Sequence, residues 1–331
     1  MSKKVSTLLK FLLFFGIGIL LIWLSVRGFT EKDKTDFYDA FHRADYTWII
    51  LSIVVGMFSH LIRAIRWKML MEPIGYKPKT SNAFFAVMVA YLANYAIPRL
   101  GEVSRCEVLR RYEKIPFAES FGTVIVERIV DTLCFFILVV LVFFLQFDQI
   151  WHYLNDRFFP GLSQKFDNYR TLFYIIAAIS GFGLLLLIIL RRRIFGMMNE
   201  KTRKLWNGFK EGLSAIKRLR SPWLFVFHSF FIWFIYYAML HLCFLCLGET
   251  SDLGVRCALT TLLFGTLTVI VTPGGLGAYP LAVGALLFFI YGVDESVGKA
   301  VGWLVWSSQF IAIVIFGSVS LVLLPILNKE K

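Results

Sequence analysis

The chain has 331 residues, of which 58% are hydrophobic and only 17% are charged, and its formal net charge is +13. Soluble domains contain about 25% charged residues, so this composition excludes a soluble globular enzyme. In a membrane protein, the excess of Lys and Arg reflects topology and contact with lipid headgroups rather than a nucleic-acid site. We expect a single membrane domain over residues 1–331, with no nucleic acid among its partners.

Apolar runs long enough to cross a bilayer recur along the whole chain. A helix needs about 20 residues to span a hydrocarbon core of about 30 Å. The runs of that length are 8–26, 48–67, 121–145, 171–190, 222–247 and 300–328. The first run follows a basic segment, as a signal peptide does, but no small-x-small cleavage site follows it. We therefore interpret it as an uncleaved first helix.

The distribution of Lys and Arg predicts which segments lie in the cytoplasm, because cytoplasmic loops carry the excess of these residues. The two termini and the segments 63–79, 99–119 and 191–220 together hold 25 Lys and Arg residues, against 9 in the other inter-helix segments. This asymmetry places both termini in the cytoplasm.

The connector between the two halves of the chain, 146–221, contains a basic amphipathic segment. Over residues 197–220, apolar residues recur at helical spacing and Lys and Arg fill much of the remainder. Such a helix lies on the membrane surface. We predict that the connector holds the span 171–190 and a cytoplasmic interfacial helix at 197–220, with an ordinary basic loop as the alternative.

Two apolar stretches are interrupted by Pro and Gly. The stretch 83–97 stops at Pro98, and the stretch 255–272 stops at the sequence PGGLGAYP, 273–280, before a second apolar arm at 281–292. Pro removes a helix hydrogen bond, Gly permits unusual backbone, and lipid does not tolerate free backbone groups. Because each stretch is flanked by segments on one side of the membrane, we predict two re-entrant hairpins, the first from the cytoplasm and the second from outside.

The two halves, 46–145 and 222–331, share one order of elements: a span, a hairpin and a second span, with opposite directions in the two halves. Inverted repeats with broken helices are typical of transporters. The predicted fold class is an all-α polytopic membrane protein with about six full spans plus two re-entrant helical hairpins in an inverted-topology repeat, after a first helix and outer loop over 1–45. Two ordinary kinked spans are the alternative to the hairpins.

Charged residues near the first turn are candidate headgroup ligands, because charges inside a membrane usually face a partner or a cavity. Arginine suits phosphate recognition through its planar fork. The candidate cations and acids are Arg99, Arg105, Arg128, Glu102, Glu127 and Asp131. They are expected either to bind one phosphate or, for Glu127, Arg128 and Asp131 on helix 121–145, to form a self-neutralised triad that fixes this helix to the first hairpin. The second turn has no charge, but its backbone N–H groups suit an anion.

Three motifs carry a resemblance to a known family. They are Asn94-x-x-x-Pro98-x-Leu-Gly101-Glu102-x-x-Arg105, Glu127-Arg128-x-x-Asp131 and Pro273-Gly274-Gly275-Leu276-Gly277. Together they resemble the lysylphosphatidylglycerol synthase transmembrane-region family, the flippase-like domains, over roughly residues 10–325. The resemblance implies a lipid-translocating domain in a bacterial or archaeal cytoplasmic membrane. A soluble aminoacyl-transferase domain follows it in bifunctional relatives; this chain ends at Lys331, and we expect no transferase activity.

The predicted function is a transporter or flippase of an anionic or polyprenyl-phosphate-linked lipid, with no enzymatic role. Its partner would be a membrane phospholipid or a polyprenyl phosphate lipid, and a homo-oligomer is compatible with the sequence. The predicted substrate site comprises Asn94, Pro98, Arg99, Gly101, Glu102, Arg105, Glu127, Arg128, Asp131, Pro273, Gly274, Gly275, Gly277 and Tyr279. The alternatives are a membrane-embedded lipid-linked glycosyltransferase and a non-transporting accessory subunit of an envelope lipid pathway.

No metal or cofactor is predicted. The five histidines are scattered, no D-x-D motif occurs, and the C-x-x-C at Cys243 and Cys246 lies in an apolar run without a second ligand pair. Small hydrophobic residues packed between helices are the more frequent role of such cysteines.

Overall fold

The computed structural model describes residues 30–97, 99–158 and 217–328, and every regular element within these ranges is a helix. The predicted first span at 8–26, Pro98 and the predicted span at 171–190 lie outside the described residues. So does all but the end of the predicted interfacial helix at 197–220.

Ten α-helices build the described part of the chain. They are α1 (Glu31–Arg43), α2 (Tyr46–Met71), α3 (Thr80–Ala96), α4 (Leu100–Glu113), α5 (Phe117–Phe158), α6 (Pro222–Phe244), α7 (Gly248–Ser251), α8 (Val255–Val271), α9 (Ala278–Tyr291) and α10 (Glu295–Leu327). Short 3-10 turns occupy Glu72–Ile74 and Pro273–Gly275. Gln146 interrupts α5 with a non-helical backbone.

Four of these helical regions are long and apolar enough to cross a membrane. They are Tyr46–Ile74, Phe117–Gln146, Pro222–Phe244 and Glu295–Leu327. Large apolar side chains point outward on them: Phe144 is 75% exposed and Trp223 is 84% exposed. An outward apolar surface of this extent is what a membrane protein presents to lipid, and the four regions coincide with the predicted spans that begin at residues 48, 121, 222 and 300.

Three boundaries differ from the sequence-based expectation. Residues 31–43, predicted as an outer loop, form α1, because Phe37, Ala40 and Phe41 pack on the apolar core beside α10. Helix α5 continues beyond Gln146 into the predicted connector. Helix α2 continues to Met71, so two arginines counted above as loop charges lie inside the helix.

The helices α3 and α4 form an antiparallel pair, here named hairpin 1. At the turn, the Asn94 side chain accepts a hydrogen bond from the backbone N–H of Gly101 (2.7 Å), and a Cβ at Gly101 would overlap the carbonyl oxygen of Ala90. At the open end, Glu113 Oε1 accepts hydrogen bonds from Asn82 Nδ2 (2.6 Å) and from the backbone N–H of Lys79 (2.9 Å). Hairpin 1 is therefore closed by polar contacts at both ends.

The helices α8 and α9 form the second antiparallel pair, named hairpin 2. Their turn is possible because Gly274, Gly275 and Gly277 adopt φ values of 58°, 77° and 70°, a region that favours glycine. Within the hairpin, the Tyr279 ring of α9 lies so close to Gly265 of α8 that a Cβ there would collide with it. The predicted break at the PGGLG sequence is thus confirmed.

Both hairpins pack along α10, and their turns meet near its middle. Hairpin 1 follows the C-terminal half: Asn82 exchanges hydrogen bonds with Asn328 (2.9 Å each), and the Tyr95 ring meets Phe310 edge-on at 5.0 Å. Hairpin 2 follows the N-terminal half, where Trp306 Nε1 donates to the carbonyl of Gly274 (2.9 Å).

Small residues allow this close approach. A Cβ on Gly302 would lie 2.9 Å from the carbonyl oxygen of Pro280, one on Gly317 would lie 2.8 Å from Leu92, and one on Gly274 would overlap the Tyr95 ring. The two turns are therefore in direct contact through Tyr95 and Gly274.

The helices α2 and α6 pack against each other in opposite directions. Ser52 near the start of α2 donates to the carbonyl of Met239 near the end of α6 (2.9 Å), whereas Arg66 near the end of α2 reaches Ser229 near the start of α6 (3.1 Å). The first helix of one half is thus antiparallel to the first helix of the other.

Gly274→Ala tests the contact between the two turns. Left-handed backbone costs a non-glycine residue about 1–2 kcal/mol, and the added methyl group also collides with Tyr95. We expect a lower unfolding temperature in detergent. Gly254→Ala is the matched control, because φ at Gly254 is −76° and a Cβ there meets nothing within 4 Å. Equal unfolding temperatures of the two variants would contradict this packing.

Candidate functional site

Two arginines of α2 point into the protein between α5 and α6. Arg63 Nη1 donates to Glu127 Oε1 (2.7 Å) and to Asp131 Oδ2 (2.6 Å), and Arg66 Nη2 donates to Asp131 Oδ1 (2.6 Å). All four side chains are nearly or fully buried. Because a buried charge is costly unless it is paired and hydrogen-bonded, these contacts fix the faces of α2 and α5 that meet.

Hairpin 1 joins the same network through Arg105. Its Nη1 donates to Glu127 Oε2 (2.9 Å), so Glu127 bonds to guanidinium groups through both oxygens. The Arg105 guanidinium also lies over the Trp67 ring at 4.6 Å, a cation–π distance. Glu127 thus ties α5 to hairpin 1 as well as to α2.

Helix α6 supplies neutral partners for the two arginines of α2. Tyr236 OH accepts from Arg63 Nη2 (3.0 Å), and Ser229 Oγ accepts from Arg66 Nη1 (3.1 Å). We name the residues Arg63, Arg66, Arg105, Glu127 and Asp131 the inner cluster. It draws side chains from α2, α4 and α5 and contacts α6, so it connects the two halves of the chain.

A second ion pair lies at the edge of the inner cluster. Arg128 Nε is 3.4 Å from Glu102 Oε1, and Arg128 Nη1 is 3.7 Å from Asp131 Oδ2. The side chains of Arg128 and Glu102 are 42% and 21% exposed, so this pair is longer and less buried than the hydrogen-bonded inner contacts. We name Glu102 and Arg128 the outer pair.

A small polar cavity lies between hairpin 1 and α5. Its walls include Tyr91, Asn94, Glu102, Arg105 and Arg128, and its volume of about 10 Å³ has room for about one water molecule. Both members of the outer pair and the buried Arg105 therefore line the same cavity. The cavity therefore has no room for a group much larger than a water molecule in this conformation.

The cations at this site outnumber the acids. The inner cluster and the outer pair contain four guanidinium groups and three carboxylates, which leaves a net charge of +1 when all are ionised. Arg105 Nε and Nη2 are buried and have no hydrogen-bond partner among the residues that the structure describes. Buried polar groups without partners are rare, so this site has capacity for an anion.

The structure brings together most of the predicted residues of the first turn. Asn94, Gly101, Glu102, Arg105 and Arg128 line the cavity, and Glu127 and Asp131 lie directly behind it. Arg99 lies apart: its side chain is exposed and its φ is 64°. Of the three predicted arginines, Arg105 and Arg128 contact the acids of α5. Arg63 and Arg66 of α2, which were not among the predicted residues, make the other contacts with these acids.

The residues of the second turn do not line this cavity. Gly274 contacts Tyr95, Gly275 lies beside Tyr279 and Val269, and Pro273 and Gly277 are buried. Tyr279 packs inside hairpin 2 against Gly265. The glycine-rich turn thus adjoins the charged site through Tyr95 of α3, next to the cavity residue Asn94.

Arg63 and Arg66 are site residues that the sequence pattern did not predict. They were assigned to a cytoplasmic loop because the apolar run of α2 ends near Trp67. The available signal was their spacing of three residues, which places both on one helix face. Two arginines on one face, inside a run otherwise long enough to span, require acidic partners in another helix.

Within the described ranges, no group of His, Cys, Asp and Glu side chains has the arrangement of a metal site. All five cysteines are free and buried. Cys243 Sγ donates to Ser52 Oγ (3.3 Å) between α6 and α2, so this cysteine takes part in helix packing.

Glu127→Gln tests the structural role of the inner cluster. The substitution leaves the guanidinium groups of Arg63 and Arg105 without their shared carboxylate, and breaking a buried ion pair costs about 3–5 kcal/mol. We expect loss of the folded protein on mild heating in detergent, measured as the monodisperse fraction.

Glu107→Gln is the control for that experiment. Glu107 pairs with Arg110 on the surface of α4 (2.6 Å), and exposed pairs contribute about 0–1 kcal/mol. Similar heat resistance of the Glu127 and Glu107 variants would show that the inner cluster does not hold the helices together.

Comparisons with known proteins place the chain among membrane proteins. It is 26% identical over 303 residues to a UPF0104 membrane protein of Methanocaldococcus jannaschii, which covers 86% of this chain and 87% of that protein. It is 22% identical over 303 residues to a UPF0104 membrane protein of Methanothermobacter thermautotrophicus, covering 85% and 88% of the two chains.

A shorter similarity links the chain to the glycosyltransferase AglD of Haloferax volcanii. The identity is 26% over 118 residues, which is 35% of this chain and 19% of that protein. No solved structure matches the chain. The model of the lysylphosphatidylglycerol synthase TM region matches residues 8–317, nearly the whole chain, and the protein therefore belongs to that family of integral membrane proteins.

Proposed function

We propose that the protein is a transporter or flippase of an anionic or polyprenyl-phosphate-linked lipid, and that the headgroup binds beside the turn of hairpin 1. The observation that carries the proposal is the surplus of buried guanidinium groups at the cavity, with two N–H groups of Arg105 lacking a partner in the described chain. Arginine N–H groups bind phosphate strongly in a low-dielectric site. The proposal assigns no catalytic step.

The arrangement of the hairpins supports a transport pathway. The helices α3 and α4 have 17 and 14 residues, or roughly 25 and 21 Å at 1.5 Å per residue. Both lengths are shorter than a hydrocarbon core of about 30 Å. The two hairpins approach from opposite ends of α10 and meet through Tyr95 and Gly274. This geometry supports two re-entrant hairpins in an inverted repeat, with the site near the midplane.

A membrane-embedded glycosyltransferase is the second candidate. The local similarity to AglD favours it, although this similarity extends over only 19% of that protein. The two candidates differ in their product, because a transporter moves an unchanged lipid between leaflets and a transferase changes its mass. Mass spectrometry of the lipid recovered after the transport assay below separates them.

Thiol labelling tests the proposed topology, with single cysteines introduced at exposed positions. Lys77 and Arg111 lie at the open end of hairpin 1, Asp252 and Glu295 flank hairpin 2, and Leu100 lies at the turn of hairpin 1. We expect a membrane-impermeant reagent to reach 77 and 111 only from the cytoplasmic face and 252 and 295 only from the other face. The native cysteines are buried and give little background.

Position 100 decides whether hairpin 1 is re-entrant. A turn that ends inside the membrane is not labelled from the face opposite to Lys77, whereas a hairpin that crosses fully is. Labelling of Leu100→Cys from that opposite face would refute the re-entrant hairpin.

Arg128→Ala tests the transport proposal. A hydrogen bond to a charged group contributes about 1.5–3 kcal/mol, so loss of this arginine should slow transport about 10- to 100-fold. The measurement is the movement of fluorescently labelled phosphatidic acid and phosphatidylglycerol between leaflets of proteoliposomes, read by quenching of the outer leaflet. Arg110→Ala is the matched control, because Arg110 is exposed on hairpin 1 and pairs only with Glu107 on the same helix in the described structure.

Two results would contradict the proposal. One is a wild-type protein that moves neither lipid faster than protein-free vesicles do. The other is an Arg128 variant that transports as fast as the Arg110 variant.

A further inference from the structure

The outer pair is built differently from the inner cluster. The inner cluster has hydrogen-bonded ion pairs of 2.6–2.9 Å between side chains that are at most 12% exposed. In the outer pair the closest approach is 3.4 Å, and Glu102 Oε2 and Arg128 Nε are buried without a hydrogen-bond partner in the described chain. Glu102 therefore offsets part of the positive charge of the site but leaves the Nε–H group of Arg128 without a hydrogen bond.

Arg105, which lines the cavity, has an unused binding edge. Its Nη1 is committed to Glu127, which leaves Nε and Nη2 on the other edge of the guanidinium without a partner in the part of the protein described. Such an edge binds two oxygens of one phosphate side by side. The Trp67 ring below Arg105 holds the guanidinium in place (4.6 Å).

The size of the cavity determines how this edge becomes accessible. With room for only about one water molecule, it cannot admit a phosphate group while Glu102 forms part of its wall. The Glu102 carboxylate is also an anion in the position that a phosphate would take beside Arg128 (3.4 Å). Movement of Glu102 away from Arg128 would both open this wall and vacate the position of an anion.

Displacement of Glu102 changes the charge that the ligand must balance. The four guanidinium groups then face only Glu127 and Asp131, so the site has a net charge of +2. Uncompensated charge in a buried site is costly. A phosphate monoester carries about −1.5 to −2 at pH 7, whereas a phosphodiester carries a single negative charge, so the monoester matches this site better.

We propose that the headgroup is a phosphate monoester and that Glu102 is a place-holding carboxylate which the phosphate displaces from Arg128. This inference rests on the proposed function, because it takes the cavity as the site of a lipid headgroup. It narrows the substrate class from anionic lipids in general to lipids with a terminal phosphate.

Binding of two short-chain lipids by the purified protein tests the proposal. Dihexanoyl phosphatidic acid has a monoester headgroup, and dihexanoyl phosphatidylglycerol has a diester headgroup on the same acyl chains. We expect the wild-type protein to bind the monoester at least about tenfold more tightly at pH 7.5, which corresponds to about 1.4 kcal/mol.

Two variants separate the parts of the proposal. Glu102→Gln removes the carboxylate that has to be displaced, so it should bind both lipids about tenfold more tightly while retaining the preference for the monoester. Arg128→Gln lowers the surplus charge, so it should lose most of that preference. Both side chains are partly exposed, and unfolding temperatures near that of the wild type would show that the variants are folded. Glu107→Gln is the control and should bind both lipids as the wild type does.

Each outcome distinguishes this inference from the proposed function. Equal affinity of the wild type for the two lipids, together with transport of either in proteoliposomes, would overturn the monoester assignment and leave the transport proposal standing. Unchanged affinities in Glu102→Gln would overturn the place-holding role of Glu102. A wild type that neither binds nor moves the two lipids would overturn both proposals.

Discussion

Mutual neutralisation of Glu127 and Asp131 by three buried arginines is the interaction on which the arrangement of the helices depends. A low-dielectric interior makes any one of these charges very costly alone, so the cluster exists only when α2, α4 and α5 are all in place. Its neutral hydrogen-bond partners on α6 extend the requirement to the second half of the chain. The charged residues thus specify which helices meet, and the longer contacts of the outer pair lie at their edge.

Close packing on α10 holds the two hairpins together at positions that the ion pairs do not reach. In lipid there is no hydrophobic force between helices, so association relies on van der Waals contact and on small residues that let backbones approach. Gly302 and Gly317 provide these positions on the two halves of α10, one for each hairpin. Because the ring of Trp306 stacks on that of Phe310 at 5.0 Å beside the meeting point of the turns, the two packing regions form one continuous surface. Hairpin 1 therefore packs against α10 on one side and forms ion pairs with α5 on the other.

Local chemistry made much of the fold predictable. The breaks near Pro98 and at Gly274 follow from residue types that end helices, and the four long spans follow from length and apolar content. The acids of α5 were predicted as a site with Arg105, because charge inside an apolar run needs a partner. Their partners on α2 were not predicted, since Arg63 lies 64 residues before Glu127 and no local pattern joins them. Helix α1 was missed because its stability comes from packing on the core, which the sequence does not display.

The long separation in sequence between α2 and α5 has a consequence for biogenesis. Arginine at the centre of a membrane helix raises the free energy of insertion by about 2.5–3.5 kcal/mol, and α2 carries two arginines in its C-terminal half. Their carboxylate partners leave the ribosome at least 61 residues later, the separation of Arg66 and Glu127, which at 5–20 residues per second is a delay of roughly 3–12 s. During that interval α2 must keep its arginines in water, in the headgroup region or in contact with the insertion machinery. When α5 arrives, its carboxylates pair with the arginines of α2, and the charges that made each helix costly in the membrane are neutralised. Formation of the inner cluster is therefore a step in assembly as well as a feature of the folded protein.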